Sequence, residues 1–374
     1  MKAQVRKLKR FVVDRIVEPL LPLRMLEGYV IFFGSVVRRI HKPYIIGITG
    51  SVGKSTTTSM LASVLSAPDA MPIVGEVQCT RENMNDDLGV AATLLRFEKF
   101  LMLPWSYPRR LALLFTLPLR ALRVTLRRYP EVMVLELGVG STADFSRLVQ
   151  IAPPDVAVVT RIGPAHLDTL KTVQGVVQEK GKLVAAVPPN GLVVLGEDHE
   201  YVSHLQQMAR ARVVKAQGKG VDVSRNVVAV CHELKIPRQV VENPLERFQA
   251  PERRLRCMEF PGLTVIDDTY NANPLSMRLG LDTVAATSKP GQRRVAILGY
   301  MAELGDEAAS YHRELALYAR ERVDLLIGVG ILHGTTHRII GAARATRARP
   351  RSKASYPRTT AFSSKVHSRR RWSA

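Results

Sequence analysis

The run Ile45-Ile46-Gly47-Ile48-Thr49-Gly50-Ser51-Val52-Gly53-Lys54-Ser55-Thr56-Thr57 constrains the fold more than any other stretch of this chain. A β-branched segment feeds a glycine-rich turn, and Gly53-Lys54-Ser55 opens a segment of helical character through about Ser66. Strand, turn and helix in that order are the parts of a layered α/β sheet whose ligand lies at the carboxyl edge of the strands. The glycines let backbone N–H groups turn inward around phosphate oxygens, and the helix N-terminus adds partial positive charge. In such a turn Lys54 reaches the outer phosphates and the Ser55 hydroxyl can ligate Mg2+. The general pattern G-x-x-x-x-G-K-[ST] wants glycine at position 48, where isoleucine stands; the glycines fall at 47, 50 and 53 instead. That spacing points away from most GTPases and generic ATPases and toward a narrower nucleotide-dependent class.

The net charge of +21 suggests a nucleic-acid partner until it is located. Residues 1–42 hold ten Lys/Arg against three acids, and residues 338–374 hold eleven with no acid, so the ends carry most of the excess. The middle is nearly balanced and offers no basic stripe for a duplex; no nucleic-acid partner is expected. With 374 residues there is room for two or three domains, each with a core of its own. Cys79, Cys231 and Cys257 lie far apart with no C-x-x-C, which indicates neither a disulfide framework nor a zinc ribbon and fits a reducing cytoplasm. The N-terminal apolar stretches Phe11–Val13 and Tyr29–Phe33 are interrupted by Arg15, Glu18, Arg24 and Glu27, so none approaches the roughly 20 residues of a membrane span. No small-residue cleavage site marks a signal peptide. The segment reads as a helical lead-in packing on the first domain, or as a basic amphipathic helix in peripheral contact with a membrane.

From Tyr44 onward strand-like and helix-like segments alternate. Buried parallel strands are expected at Tyr44–Thr49, Val132–Leu137, Val156–Thr160 and Leu192–Leu195, and helices at Ser55–Ser66, Val173–Val187 and Val223–Leu234. Residues 99–129 mix apolar runs with Arg109, Arg110, Arg120, Arg123, Arg127 and Arg128, and read as a surface helix pair covering the sheet, with a substrate- or membrane-facing lid as the alternative. A linker is expected at Glu242–Glu252, bracketed by Pro244 and Pro251. A second α/β unit follows, with strands at Thr264–Ile266, Arg294–Leu298 and Asp324–Val329 and helices at Ser276–Ala286 and Ala308–Ala319. After about Leu332 the pattern stops; residues 338–374 have no periodicity and could not bury a core. A solvated tail, or a reading-frame or assembly artefact, would account for this, and the second unit then ends after three strands.

Three further clusters carry chemistry. Glu136 ends the run Val132–Leu137 ahead of Gly138, at the strand edge where a carboxylate can hold Mg2+ against phosphates. His166 and Asp168 lie in the loop after Val158-Val159-Thr160, and Glu179-Lys180-Gly181-Lys182 sits on a helix able to return a lysine to the same cleft. Asp267-Asp268-Thr269-Tyr270-Asn271-Ala272-Asn273-Pro274 puts two acids and two amides at a helix start, groups suited to reading a purine or ribose edge.

Together these segments resemble the Mur ligases, and among them the branch that adds D-alanyl-D-alanine to UDP-N-acetylmuramoyl-tripeptide. Thr49–Ser55 is similar to that family's phosphate loop, Asn83–Val90 to its Asn-rich segment, and Thr160–His166, Lys180, Asp267–Pro274, Leu298–Gly305 and His312 complete the likeness. It covers roughly residues 44–330. The resemblance implies ATP as cosubstrate, with Thr49, Gly50, Ser51, Gly53, Lys54, Ser55 and Thr56 around its phosphates. It also implies Arg254 and Asp268 on the ribose side, Asn273 on the adenine side, Asn271 among the nucleotide-binding residues, and two Mg2+ sites. Ser55 and Glu136 would serve the first; His166 and a carbamylated Lys180 would serve the second. The implied reaction passes through an acyl phosphate, with Lys54, His166 and Lys180 as its catalytic residues. Three departures stand out. Only residues 1–43 precede the phosphate loop, where better-known members hold UDP in a full N-terminal domain. Arg253 stands where a glycine usually precedes the arginine matched by Arg254, and the C-terminal part is short.

The expected architecture is α/β: a central P-loop-type parallel-sheet domain, then a Rossmann-like α/β domain that is truncated. The expected bounds are a basic amphipathic segment at 1–43, an ATP-binding domain at 44–244, a partial ligase domain at 253–332 and a basic tail at 333–374. A monomeric cytoplasmic ligase of peptidoglycan synthesis is the leading expectation. Against it stand a folylpolyglutamate- or polyglutamate-type ligase, a P-loop ATPase acting on nucleic acid or membrane, and an inactive ATP-binding homologue.

Overall fold

The computed structural model describes residues 23–329, apart from 82, 102–106, 141, 143, 197–199 and 217–222, and adds 340–341 and 359–363. The basic stretch 1–22 and most of the tail lie outside the described residues.

The first unit is a six-stranded, wholly parallel sheet. Its main elements are α1 (Leu23–His41), β1 (Tyr44–Thr49), α2 (Lys54–Leu65), β2 (Val77–Cys79), α3 (Asp87–Leu94), α4 (Tyr107–Thr125), β3 (Val132–Glu136) and α5 (Asp144–Ile151). These are followed by β4 (Val156–Val159), α6 (Val173–Ala186), β5 (Leu192–Gly196), β6 (Arg212–Ala216), α7 (Ser224–Glu233) and α8 (Arg238–Glu246). The strand order is β2-β3-β1-β4-β5-β6. The chain leaves β1 for β2 and β3 on one side and then crosses to β4 on the other, so β1 marks the switch point at whose carboxyl end a ligand crevice forms.

Alternation along each strand feeds two helical layers. Ile45, Met133, Leu135, Ala157, Val159, Val193 and Leu195 face the layer of α1, α3, α4, α5 and α6; Ile46, Ile48, Val132, Val134, Val156, Val158 and Val194 face α2, α7 and α8. The lead-in helix belongs to the first layer. Leu26, Val30 and Val37 of α1 are fully buried, each contributing about 1.5–3 kcal/mol, so this apolar face is taken up by the unit. A Cβ at Gly34 would sit 2.7 Å from the Ala91 carbonyl, so only glycine lets α1 lie this close to α3. Against α4 the seam is polar. Pro118 inside α4 has no N–H to give the Leu114 carbonyl four residues back, and the Tyr29 hydroxyl donates to that oxygen at 3.1 Å.

The second unit contains β7 (Arg256–Phe260), β8 (Leu263–Asp267), α9 (Pro274–Thr287), β9 (Arg293–Leu298), α10 (Ala308–Arg320), β10 (Leu325–Gly328), β11 (Ile340–Gly341) and β12 (Thr359–Ser363). Its sheet order is β11-β10-β9-β12-β8-β7, parallel in the middle and antiparallel at both edges. The expectation of three strands is therefore corrected to six. β12 pairs in parallel with both β8 and β9, yet Thr359-Thr360-Ala361-Phe362-Ser363 lacks the apolar run that marks a central strand in sequence. The linker is also shorter than expected. Helix α8 continues through Pro244 to Glu246, held by buried Val241, and only residues 247–255 join the two units.

Candidate active site

The glycine-rich turn leaves β1 at Thr49 and enters α2 at Lys54, with positive φ of 149° at Gly50 and 87° at Gly53. Any Cβ at Gly50 would overlap Thr160 Oγ1. That hydroxyl lies 3.1 Å from the Thr49 carbonyl and 2.6 Å from the Val52 carbonyl, to which it donates its proton. Ser51 N–H donates to the Arg161 carbonyl at 2.6 Å, and Ser51 Oγ both donates to the Gly163 carbonyl (2.9 Å) and accepts from Gly163 N–H (3.1 Å). The loop after β4 thus holds the turn from outside.

Behind the turn lie two lysines, half-buried Lys54 and buried Lys180. Lys54 Nζ donates to the Gly50 carbonyl at 2.9 Å; burial lowers its pKa, and the Glu136 carboxylate partly opposes that shift. Lys180 on α6 is fully buried, with Nζ 3.4 Å from Thr49 Oγ1 and 5.9 Å from the centre of the Phe145 ring. Burial first and the Lys54 charge second push its pKa well below the usual lysine range. Glu136, buried at the end of β3, accepts from Asn85 Nδ2 at 2.9 Å, and its N–H donates to Thr80 Oγ1 at 2.8 Å. The Ser55 hydroxyl at the start of α2 is buried with no hydrogen-bond partner in the protein, an arrangement that calls for an outside ligand.

The second unit faces this turn. Asn273 caps α9, its Oδ1 accepting from Leu275 N–H (3.1 Å) and Ser276 N–H (2.8 Å), while its Nδ2 donates to the Ser51 carbonyl at 3.3 Å. One side chain therefore starts a helix of the second unit and grips the phosphate turn of the first. The Arg254 guanidinium stacks 3.6 Å from the centre of the Tyr270 ring, and the Tyr270 hydroxyl donates to Asn83 Oδ1. Asp268 is buried and accepts from Leu255 N–H at 3.1 Å; burial raises its carboxyl pKa to about 7, against the pull of that N–H and of Arg254. Asn271 is exposed, its Oδ1 accepting from Ala272 N–H. His166, in a left-handed conformation at φ 57°, places Nδ1 2.7 Å from Glu303 Oε2. Leu167 N–H donates to the Glu303 carbonyl and Gly305 N–H to Asp168 Oδ1, both at 2.7 Å. His312 stays within the second unit, accepting from Met301 N–H at 3.0 Å and stacking on Tyr300.

Between the units lies a cleft of about 1080 Å³. Ser51, Gly53, Lys54, Thr56, Glu136 and His166 line one side; Arg254, Asp268, Asn271 and Asn273 line the other. A third wall comes from α1, through Arg24, Glu27 and Ile31, and from Arg147, which pairs with Asp87 and Asp144.

The same segments match family patterns. The Mur ligase middle domain matches residues 48–102 and 115–235, and the Mur ligase glutamate ligase domain matches residues 253–365. The chain belongs to the Mur ligase family. Among curated relatives, the UDP-N-acetylmuramoyl-tripeptide–D-alanyl-D-alanine ligase of Mycobacterium tuberculosis (strain ATCC 25618 / H37Rv) is 31% identical over 331 residues, which is 76% of this chain and 58% of that relative. The chain thus spans a little over half that relative's length. Among solved structures, MurF from Acinetobacter baumannii superposes with a TM-score of 0.66 at 23% identity, over 82% of this chain and 68% of that one. MurF ligase from Thermotoga maritima in complex with ADP gives 0.67 at 18% identity, over 90% and 80%. At these identities the superpositions establish a shared fold: a P-loop-type sheet domain followed by a second α/β domain.

The expected residues separate by environment. Lys54, Ser55, Glu136 and Lys180 gather under the turn, and Arg254, Asp268, Asn271 and Asn273 gather opposite it. His166 reaches the cleft but is held from the far unit by Glu303. Among the described residues no three His, Cys, Asp or Glu side chains converge as a metal cage. Sequence reasoning did not give Glu303, Tyr270, Asn83 or Asn85 their roles as partners across the fold. Each is a polar residue in a loop, and only the pairing of distant segments shows what it holds.

Proposed function

We propose that the chain is an ATP-dependent amide ligase that joins D-alanyl-D-alanine to UDP-N-acetylmuramoyl-tripeptide in the cytoplasm, as a step of peptidoglycan precursor synthesis. The names of its relatives support the substrates. The observation that carries the chemistry is the half-buried Lys54 with the unpartnered Ser55 hydroxyl, facing the Asp268–Asn273 run across one cleft. In the proposed reaction the substrate carboxylate takes the outer phosphoryl group of ATP, and the dipeptide amine then displaces phosphate from the acyl phosphate. Such transfers depend mainly on positioning and charge neutralisation.

Each residue has work that suits its surroundings. Apart from Ser51 N–H, which is tied to the Arg161 carbonyl, backbone N–H groups of Gly50–Thr56 would hold phosphate oxygens, and Lys54 keeps a positive charge at the transferring group. Ser55 and Glu136 fit a Mg2+ ion, one as an orphaned hydroxyl and the other as a carboxylate with a single oxygen tied to Asn85. Bound there, Mg2+ would neutralise phosphate charge and take its remaining ligands from phosphate and water. Arg254 and Asp268 suit the ribose, beside Asn271 and Asn273 on the adenine side. The wall formed by Arg24, Glu27 and Arg147 would receive the peptide substrate.

Lys180 would act as a carbamate, with His166, at a second cation site. Burial and the neighbouring Lys54 charge lower the Lys180 pKa and so favour its neutral amine, the form that adds CO2 and releases a proton. The resulting anion would attract the Lys54 ammonium. Protein exchanged into 13C-bicarbonate should show one carbamate carbonyl resonance that is missing in Lys180→Met.

The activity itself is tested by phosphate release from ATP and Mg2+ with UDP-N-acetylmuramoyl-tripeptide and D-alanyl-D-alanine, omitting each in turn. Release that requires both, with a ligated product, is expected. Release indifferent to both would exclude a ligase, and a requirement for another acid or amine would redirect it to a folylpolyglutamate- or polyglutamate-type substrate.

A further inference from the structure

Helix α4 has two apolar faces, and among the described residues only one is packed on the fold. Leu113, Leu117, Ala121 and Val124 are buried against the first unit. Phe115, Leu119 and Leu122 of the same helix, and Leu126 just beyond it, are 69%, 67%, 56% and 76% exposed. Their spacing of four, three and four residues forms one continuous stripe. Arg123 and Arg127 flank this stripe and are exposed. From Tyr107 to Pro130 the sequence holds six arginines and no acid.

We propose that this face of α4 docks the protein on an anionic lipid surface, with the Phe115–Leu126 stripe entering the headgroup boundary and the arginines meeting lipid phosphates. Charge decides the occupant. A second copy laid on the same face would bring arginines against arginines, and α4 carries no carboxylate to pair them. A lipid surface of negative potential offers exposed Arg123 and Arg127 phosphate partners and the stripe an apolar phase. The contact is peripheral, since among the described residues no helix is long and apolar enough to cross a membrane. It also leaves the cleft open, because among the described residues no cleft-lining side chain comes from α4. It stands independently of the ligase assignment.

The test is flotation of the full chain with phosphatidylcholine vesicles, with and without phosphatidylglycerol. Binding is expected only to the anionic vesicles, weakening with added salt. Phe115→Ser/Leu119→Ser/Leu126→Ser and Arg123→Glu/Arg127→Glu should each reduce binding by about tenfold or more. All the altered side chains are exposed, so melting temperature should be unchanged, and circular dichroism confirms that the variants are folded. Failure to bind anionic vesicles, or binding that survives both variants because another basic segment carries it, would overturn the proposal. So would a dimer that the serine variant abolishes without any vesicle binding.

Discussion

The two units make the same kind of sheet from very different strands. In the first, β1, β3, β4 and β5 are buried almost end to end, between two helical layers. In the second, β7, β8 and β10 are mostly half-exposed, and the apolar cluster among the described residues is smaller, centred on Ile266, Met277, Leu281, Val284 and Ala296. The contrast separates two tasks. The heavily buried unit can keep a lysine pair and an orphaned hydroxyl in fixed positions at a strand edge. The lightly buried unit brings polar side chains such as Asp268 and Asn273 to that edge and holds them through hydrogen bonds at its loops and helix start.

The largest test of this division is Lys54→Ala. It should reduce phosphate release by at least about 10²–10³-fold, the scale of losing one preorganised charge, while denaturant unfolding changes little; retention of more than a few per cent of activity would break the comparison. Gly50→Ala tests rigidity instead. The new methyl overlaps Thr160 Oγ1 at a φ that only glycine favours, and a loss of about 2–4 kcal/mol in urea unfolding is expected.

That second residue shows what a sequence can and cannot tell. The turn at Gly50–Lys54 was legible because its chemistry is local, and β1, β3, β4 and β5 were legible because burial on both faces writes an unbroken apolar run. Strands β2, β6 and β7 were not, since Val77-Gln78-Cys79, Arg212–Ala216 and Arg256–Phe260 mix polar with apolar residues as edge strands can, and neither was β12, where Thr359–Ser363 is polar despite its central place. Glu136, Lys180 and the Asp268–Asn273 run could be picked out by type and position. That Thr160 would hold the turn, or that Glu303 would hold His166 from 137 residues away, depends on contacts no local pattern encodes.

Two smaller effects sharpen the contrast from the second unit's side. Asn273→Ala removes the cap of α9 and the bond to the Ser51 carbonyl. The cap alone should lower stability by about 1 kcal/mol, and the lost grip should raise the KM for ATP with less effect on kcat. Asn273→Asp keeps the cap without the donated amide, and should therefore restore stability but not KM. The last is a pH effect. The Asp268 carboxyl titrates near 7 when folded and well below that when unfolded, so between those values the folded state binds more protons and stability falls as pH rises. Asp268→Asn should flatten that slope between about pH 4 and pH 7. A slope unchanged in the variant would place the buried charge elsewhere.

The proline inside α4 has a consequence of another kind. Its missing N–H leaves the Leu114 carbonyl dependent on a phenol from α1, 85 positions earlier in the chain. Neither residue can drift alone. Phenylalanine at position 29 would strand a half-buried oxygen unless position 118 regained its N–H. In lineages that keep α1 on this face, the two sites are thus expected to change together or not at all, a correlated pair whose origin is one missing hydrogen.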